Sequence, residues 1–320
     1  MTRAAPNPNL LSLVVPVYNE VESLPALVAE IANATKDIGR TVEILFIDDG
    51  SNDGSWDVIR DLAAKSDMVQ GYRFRRNFGK AAALSAGFKV ASGSIVMTLD
   101  ADLQDDPIEI PRFLAAIQAG ADVVCGWKKI RYDPWHKVFP SHVFNGLVSW
   151  LTGVKLHDHN CGFKAYRADV IREVKLYGEL HRFVPVLAAA EGFRCEELII
   201  HHRARKFGHS KFGARRFLKG FIDLIAVWSR TTFGNRPMHA FGTLAILLAF
   251  FGAIAWIATM FLPLGSTFGP FVSMLSFLSF ILAGQSAFTG ISAEMALARS
   301  APDAPYRISE TVPAREAHPQ

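Results

Sequence analysis

Short apolar runs alternate with amphipathic stretches over the first hundred residues of the chain. The runs are Leu11–Pro16, Val42–Ile47, Val69–Phe74 and Ser94–Leu99, and helical spacing fills roughly Glu20–Lys36, Ser55–Lys65 and Lys80–Val90 between them. Continuous apolar runs bounded by turn residues suit strands that are buried on both faces. Alternation of strand and helix then predicts an α/β fold, a mostly parallel sheet with helices on both sides. In such a sheet ligands gather at the carboxyl ends of the strands.

Beyond Pro237 the pattern changes. No Asp, Glu, Lys or Arg occurs from Pro237 to Ala293, a run of 57 residues. Within it Ala240–Leu262 and Phe271–Ala293 hold 23 residues each. At about 1.5 Å per residue, a helix of that length crosses the roughly 30 Å hydrocarbon core. The stretch Pro263–Pro270 between them carries helix-stopping residues. A two-span transmembrane hairpin is expected; a buried hairpin in a soluble core is disfavoured, because such helices rarely lack charge over this length. Arg203–Arg236 holds nine basic residues against Asp223 alone, while the connecting loop has no charge. The positive-inside rule puts the N-terminal part and both termini in the cytoplasm. Just before the hairpin, Phe212–Phe233 reads as an amphipathic helix, with Phe217, Phe221, Leu224 and Trp228 at helical spacing away from Arg215, Lys219 and Arg230. Such a helix suits the membrane interface, a core helix with a solvated basic face being the alternative.

Composition narrows the class. Half of the 320 residues are apolar and one fifth are charged, which excludes a disordered chain. Cys125, Cys161 and Cys195 are too few and too scattered for a disulfide framework or a C-x-x-C metal site, so a reducing compartment is expected. Residues 1–9 carry one charge and no apolar run, and no secretory signal is expected there. The net charge is +4, and a nucleic-acid partner is not expected.

The residues after each predicted strand carry the chemistry. They are Val17-Tyr18-Asn19-Glu20, Asp48–Asp53, Arg75–Lys80 and Asp100–Gln104. No G-x-G-x-x-G follows the first strand, which argues against a dinucleotide-binding domain, and Gly79-Lys80 lacks the rest of a P-loop. Asp100-x-Asp102 followed by Gln104 can converge on one hard divalent cation. Oxygen-only ligands suit Mg2+ or Mn2+, which commonly also hold substrate phosphates. Alone, a D-x-D pair is weak; at the end of the fourth strand of this sheet it gains weight.

Val15–Glu20, Ile47–Gly54, Arg76–Lys80 and Leu99–Pro107, in this order, resemble family 2 glycosyltransferases of the GT-A fold. More narrowly they resemble the polyprenyl-phosphate glycosyltransferases, over about residues 10–235. The resemblance implies that Tyr18 stacks on the nucleotide base, with Pro16 and Glu20 beside base and ribose. It implies that Asp49 accepts an N–H from the base and that Asn77, Gly79 and Lys80 form a loop near the nucleoside. It assigns the metal and diphosphate site to Asp100, Asp102 and Gln104. The implied reaction is an inverting transfer of one sugar from a nucleotide sugar, UDP-hexose favoured, to polyprenyl (undecaprenyl) phosphate.

A phosphate monoester acceptor is already ionised near neutral pH, so it needs cations to position it and no base to deprotonate it. Lys128, Lys129, Arg131, His136 and Lys137 supply one cationic cluster, and Lys206, Ser210 and Lys211 a second that resembles the family's phosphate-contacting motif. Asp158-His159-Asn160-Cys161-Gly162-Phe163-Lys164 resembles the family's D-x-x-C-G-F-K stretch. Asp158 there either orders the catalytic site or closes a turn. His157 and His159 alternate like ligands, but the absence of a third soft ligand at clear spacing makes zinc improbable. The expected layout is an N-terminal tail (1–9), a GT-A domain (10–205), a juxtamembrane segment (206–236), the hairpin (237–293) and a disordered cytoplasmic tail (294–320). Two other classes stay open: a processive polysaccharide synthase, although no Q-x-x-R-W and no further spans are found, and a non-catalytic nucleotide-sugar binding protein. A two-span anchor also leaves a homo-oligomer open.

Overall fold

The computed structural model describes residues 5–129, 135–174, 180–203, 215–234, 236–262 and 268–300. The chain divides into two compact units, Met1–Trp228 and Ser229–Gln320.

The first unit opens with β1 (Asn7–Val17), α1 (Leu24–Ala34), β2 (Thr41–Asp48), α2 (Ser55–Lys65), β3 (Val69–Arg73), α3 (Lys80–Val90) and β4 (Gly93–Thr98). The alternation read from the sequence is therefore present, and α2 and α3 have the expected bounds. It continues through α4 (Ile110–Gln118), β5 (Val123–Trp127), α5 (Trp135–Thr152), β6 (Lys164–Arg167), α6 (Ala168–Glu173), α7 (Val184–Ala190), β7 (Cys195–Ile199) and α8 (Arg215–Phe233). One seven-stranded sheet has the order β3-β2-β1-β4-β6-β5-β7. Its strands pair in parallel except β6, which runs antiparallel to both β4 and β5.

Strand alternation sorts the core onto two faces. Leu11, Leu13, Val15 and Val17 of β1 join Ile44 and Phe46 under α1, α2 and α4, through Leu27, Ile59 and Phe113 among others. Val14, Leu45 and Ile47 join Val96 on the opposite face, with Leu84 and Phe88 of α3, Phe144 and Val148 of α5, and Leu187 of α7. Burying each of these aliphatic or aromatic side chains contributes about 1.5–3 kcal/mol. The chain leaves β3 and returns to the far side of β1 as β4, so a crevice opens at the carboxyl ends of β1 and β4.

Helix α8 departs from the expected face. Leu224 and Val227 are fully buried in the core cluster that holds Phe144 and Val148, whereas Phe221, Ile222 and Ile225 are exposed. The stripe expected to face lipid thus loses Leu224 to the core, because a helix carrying apolar residues on more than one side can pack one of them against α5.

The second unit pairs α9 (Pro237–Thr259) with α10 (Phe268–Ser300). Both are long and apolar enough to cross a membrane. Their outward surface is apolar, with Ile246, Phe250, Trp256, Phe277 and Phe288 all exposed, unlike the buried hairpin of a soluble core. Between them, Ser276 donates to the Gly252 carbonyl at 2.8 Å and Ser286 to the Phe241 carbonyl at 2.8 Å, the small-residue contact that apolar helices use when no hydrophobic force separates lipid from protein. Phe268, Gly269 and Pro270, expected in the break, form the first turn of α10, where proline has no helical N–H to lose.

Candidate active site

The loops after β1 and β2 clasp each other. The Asn19 amide donates to Ser51 Oγ at 3.0 Å and the Glu20 amide to Ser55 Oγ at 2.9 Å. In return Asn19 Oδ1 accepts the Asn52 amide at 3.0 Å, and Asp53 accepts the Val21 amide at 3.1 Å. Asn19 stands at φ 55°, a left-handed conformation that asparagine tolerates better than most residues. Pro16 is the penultimate residue of β1, and Tyr18 and Glu20 follow on the clasp, all half-buried.

Asp49 organises the next loop. Its Oδ1 accepts the Phe78 amide at 2.6 Å and its Oδ2 the Gly79 amide at 2.8 Å. Burial raises its pKa above the usual carboxylate value against the lowering pull of those two amides. Gly50 has φ 73°, and a Cβ there would lie 2.7 Å from the Arg76 carbonyl carbon, so glycine is needed both for the turn and for the close approach. A cavity of about 510 Å3 lined by Gly50, Ser51, Arg73, Phe74 and Arg75 opens beside this loop. Asn77 is exposed, and Gly79 at φ 93° turns the chain into α3, whose first residue is Lys80.

From there Lys80 reaches across to β4, where its ammonium pairs with Asp100 Oδ1. Burial disfavours the Asp100 carboxylate, but the charge of Lys80, helped by Lys128 and His181, outweighs it and holds the pKa down at about 2. Asp102, two residues on, is buried and its Oδ1 accepts the Gln104 amide at 3.2 Å. Between them Leu103 is held at φ 59° with its side chain in the core, a backbone state that costs about 1–2 kcal/mol for an L-residue. Strain of this kind concentrates where geometry matters to function.

Antiparallel pairing of β6 with β4, Thr98 opposite Lys164, brings Gly162 opposite Asp100. Its carbonyl accepts the Thr98 hydroxyl at 2.6 Å, and a Cβ at 162 would lie 2.7 Å from Asp100 Oδ2. Glycine at 162 therefore lets the backbone pack directly against the Asp100 carboxylate, where any side chain would collide with it. Two carboxylates and an amide side chain on one strand-to-loop turn are the hard oxygen donors that a divalent cation such as Mg2+ or Mn2+ takes. Among the described residues no group of three His, Cys, Asp or Glu is gathered for a metal, so Gln104 or the substrate would have to complete the ligand set.

The acceptor-side residues divide. The Lys128 ammonium lies 2.6 Å from Oδ1 of Asp105, with side chains 15% and 0% exposed, so an incoming phosphate would compete with Asp105 for it. Burial favours discharge of that ammonium, and the Asp105 charge reverses this and raises its pKa. Lys129 lies over the Trp127 ring. Lys137 is on α5. Arg131, Lys206, Ser210 and Lys211 lie outside the described residues. Asp158 is buried; its amide donates to Glu197 Oε1 of β7 at 2.9 Å, and its Oδ1 accepts the Asn160 amide at 3.1 Å in a local turn. His157 pairs with Glu197 and His159 with Ser149, so the two imidazoles serve different partners. Cys125 and Cys161 are buried, and burial pushes both thiols up, that of Cys125 to about 12.

Sequence reasoning did not single out two features. Gly162 stands in the sequence only as part of the D-x-x-C-G-F-K stretch, and its close packing on Asp100 is not visible there. Arg203 bonds Glu30 and Asp106 at 2.6 Å each while its amide donates to the Gln104 carbonyl at 2.9 Å, and Asp105 bridges His202. The chain thus enters segment 204–214 from the edge of the Asp100–Asp106 loop. The nine basic residues of this region were visible, but not that the first of them is spent on two acids.

Residues 12–175 match the description "Glycosyl transferase family 2". The chain is 36% identical over 296 residues to dodecaprenyl-phosphate galacturonate synthase of Rhizobium johnstonii, covering 89% of this chain and 87% of that protein. It is 40% identical over 223 residues to undecaprenyl-phosphate 4-deoxy-4-formamido-L-arabinose transferase of Aeromonas hydrophila, covering 69% and 68%. Among solved structures, glucosyl-3-phosphoglycerate synthase from Mycobacterium tuberculosis, in complex with Mn2+, UDP and phosphoglyceric acid, superposes with a TM-score of 0.54 at 18% identity, over 70% of this chain and 78% of that one.

Proposed function

We propose that this chain, which belongs to glycosyl transferase family 2, is a membrane-anchored glycosyltransferase that moves one sugar, with inversion, from a nucleoside diphosphate sugar to a polyprenyl phosphate. The observation that carries the reading is the meeting of Lys80, Asp100 and Gly162 at the carboxyl end of β4, in a chain whose curated relatives are named for sugar transfer to polyprenyl phosphates. UDP-hexose is the favoured donor, supported by the UDP and Mn2+ named for the mycobacterial structure of the same fold.

Tyr18, Pro16 and Glu20 take the base and ribose, and Asp49 fixes the loop of Asn77, Gly79 and Lys80 through its two amide contacts. Asp100, Asp102 and Gln104 would hold Mg2+ or Mn2+, which when bound supplies charge neutralisation to the departing diphosphate. Gly162, packed against Asp100, fixes where that carboxylate stands, and Lys80 offers a second positive charge beside it. The acceptor phosphate is its own nucleophile, so the protein's task on that side is to hold it in line with the anomeric carbon. Lys206, Ser210 and Lys211 are assigned to it, with Arg131 and Lys137 as further cations. Support comes from Arg203, which ties the start of that segment to the Asp100–Asp106 loop. Lys128 reaches the phosphate only by sharing its charge with Asp105, and Asp158 serves as a turn residue.

The hairpin α9–α10 is assigned to the membrane, with the first unit and both termini on the cytoplasmic side, on the strength of the basic flank Arg203–Arg236. Membranes containing the protein, incubated with a panel of labelled nucleotide sugars and polyprenyl phosphate and then extracted, should yield one lipid-linked monosaccharide in the presence of Mg2+ or Mn2+. A polymeric product, or none from any donor with the folded protein, overturns the reading.

A further inference from the structure

We propose that Lys80 is a resident counter-ion for Asp100 which a divalent cation must displace, so that the cation enters with the diphosphate and not ahead of it. The proposal rests on the assignment of Asp100 and Asp102 as metal ligands. Three observations carry it. The Lys80 ammonium pairs with Asp100 Oδ1, so it competes with a cation for that carboxylate. Both side chains are about one-third exposed, so the pair is open to an incoming ligand. The backbone that carries Lys80 is fixed independently, since the Phe78 and Gly79 amides are held by Asp49, and only the four-carbon stem has to swing.

The charge balance favours joint entry. Asp100, Asp102 and Lys80 together carry one excess negative charge. A bare divalent cation would reverse that sign, and would meet the Lys80 ammonium at short range. A divalent cation together with the doubly negative diphosphate of a nucleotide sugar adds no net charge. The released ammonium then has phosphate oxygens to bond, a point-charge role that lysine performs on phosphates generally. Lys80 is a positioning residue in this scheme, and no covalent step runs through it.

Mn2+ binding to the full-length detergent-solubilised protein tests the idea, read by the electron paramagnetic resonance of free Mn2+ with and without UDP. Wild type should bind Mn2+ weakly alone and at least tenfold more tightly with UDP. Lys80→Met and Lys80→Gln should each bind Mn2+ alone about tenfold more tightly than wild type, the scale expected from removing one partly exposed competing ion pair. The enhancement by UDP should shrink correspondingly. If both folded variants bind Mn2+ alone no better than wild type while wild type still binds it with UDP, Lys80 is no counter-ion and the proposal is wrong. If wild type binds no Mn2+ even with UDP, the metal assignment itself is wrong and the proposal falls with it. Asp100→Asn, which keeps the shape and removes the shared ligand, should abolish the difference between Lys80 and methionine at position 80.

Discussion

Replacing Gly162 with alanine isolates the role of the close packing against Asp100. The added Cβ would lie 2.7 Å from Oδ2 and 2.8 Å from both Cγ and Oδ1 of Asp100, whereas ordinary contact begins near 3.4 Å. Something must therefore move by roughly 0.7 Å. The glycine backbone is poorly placed to yield, because its carbonyl accepts Thr98 Oγ1–H at 2.6 Å and the next carbonyl, that of Phe163, accepts the Gly126 amide at 2.9 Å. Cys161 and Phe163 on either side are buried. The carboxylate, partly exposed, gives way instead. A misplacement of about 1 Å at a reacting centre costs up to about 100-fold, so the shift should lower kcat by roughly 10- to 100-fold, about 1.4–2.7 kcal/mol of barrier. Stability should change little, since the displaced group is a side-chain end and the backbone angles at 162 do not demand glycine. Initial rates of lipid-linked sugar formation at saturating donor and acceptor, paired with a thermal melt, read both quantities. A folded variant whose kcat stays within twofold of wild type would refute the reasoning.

Four further outcomes follow from the same structure. Asp102→Ala should abolish transfer while the protein remains folded and membrane-bound, as judged by sedimentation with membranes and a melting curve; near-normal turnover removes Asp102 from the metal assignment. Lys211→Ala should raise KM for polyprenyl phosphate at least several-fold with nucleotide affinity unchanged, and equal changes in both would discard its acceptor role. Lys128→Met leaves the Asp105 carboxylate buried without its cation and should cost about 3–5 kcal/mol of stability in urea denaturation, with Lys128→Met/Asp105→Leu recovering most of it. His159 is kept neutral by burial and by the Lys164 charge, with its pKa lowered to about 4. The unfolded imidazole, near 6.5, takes its proton first, so the group's contribution is full above pH 6.5 and is lost as pH falls from there through 4, by at most about 1.4 kcal/mol per unit. His159→Gln should flatten that part of the stability profile between pH 7 and 4.5, and parallel profiles would contradict it.

In the half of the sheet built from β1 to β4, β1, β2 and β4 are legible in the sequence because they are largely buried on both faces and written as apolar runs, while the edge strand β3, buried only at Val69, is placed by its position between two helices. The acids after β4 are legible for the same reason: the end of the run fixes where they stand. The other half is not. β6 is four residues long and begins with a buried lysine, Lys164, whose ammonium donates to the His159 carbonyl at 3.0 Å. No local pattern announces such a strand; its neighbours specify it. The contact of Gly162 with Asp100 exists only through that pairing, across a long stretch of intervening chain. Lys128 reads as a free cation until the fold supplies Asp105. In α8, Leu224 and Val227 join the cluster of Phe144 and Val148, and because the helix carries apolar residues on several sides its sequence alone does not single them out.

The reversed direction of β6 divides labour within the molecule. β1, β2 and β4 bring their carboxyl ends to the candidate site, while β6 arrives there by its amino end, delivering residues 158–163 from about sixty residues further along the chain than Asp100. On the proposed function, the residues assigned to the donor precede Pro107 and those assigned to the acceptor phosphate follow Trp127, and the two stretches of chain meet where Gly162 packs against Asp100. A chimaera joined in the α4–β5 region would have to preserve that contact, because its two sides come from opposite sides of the join.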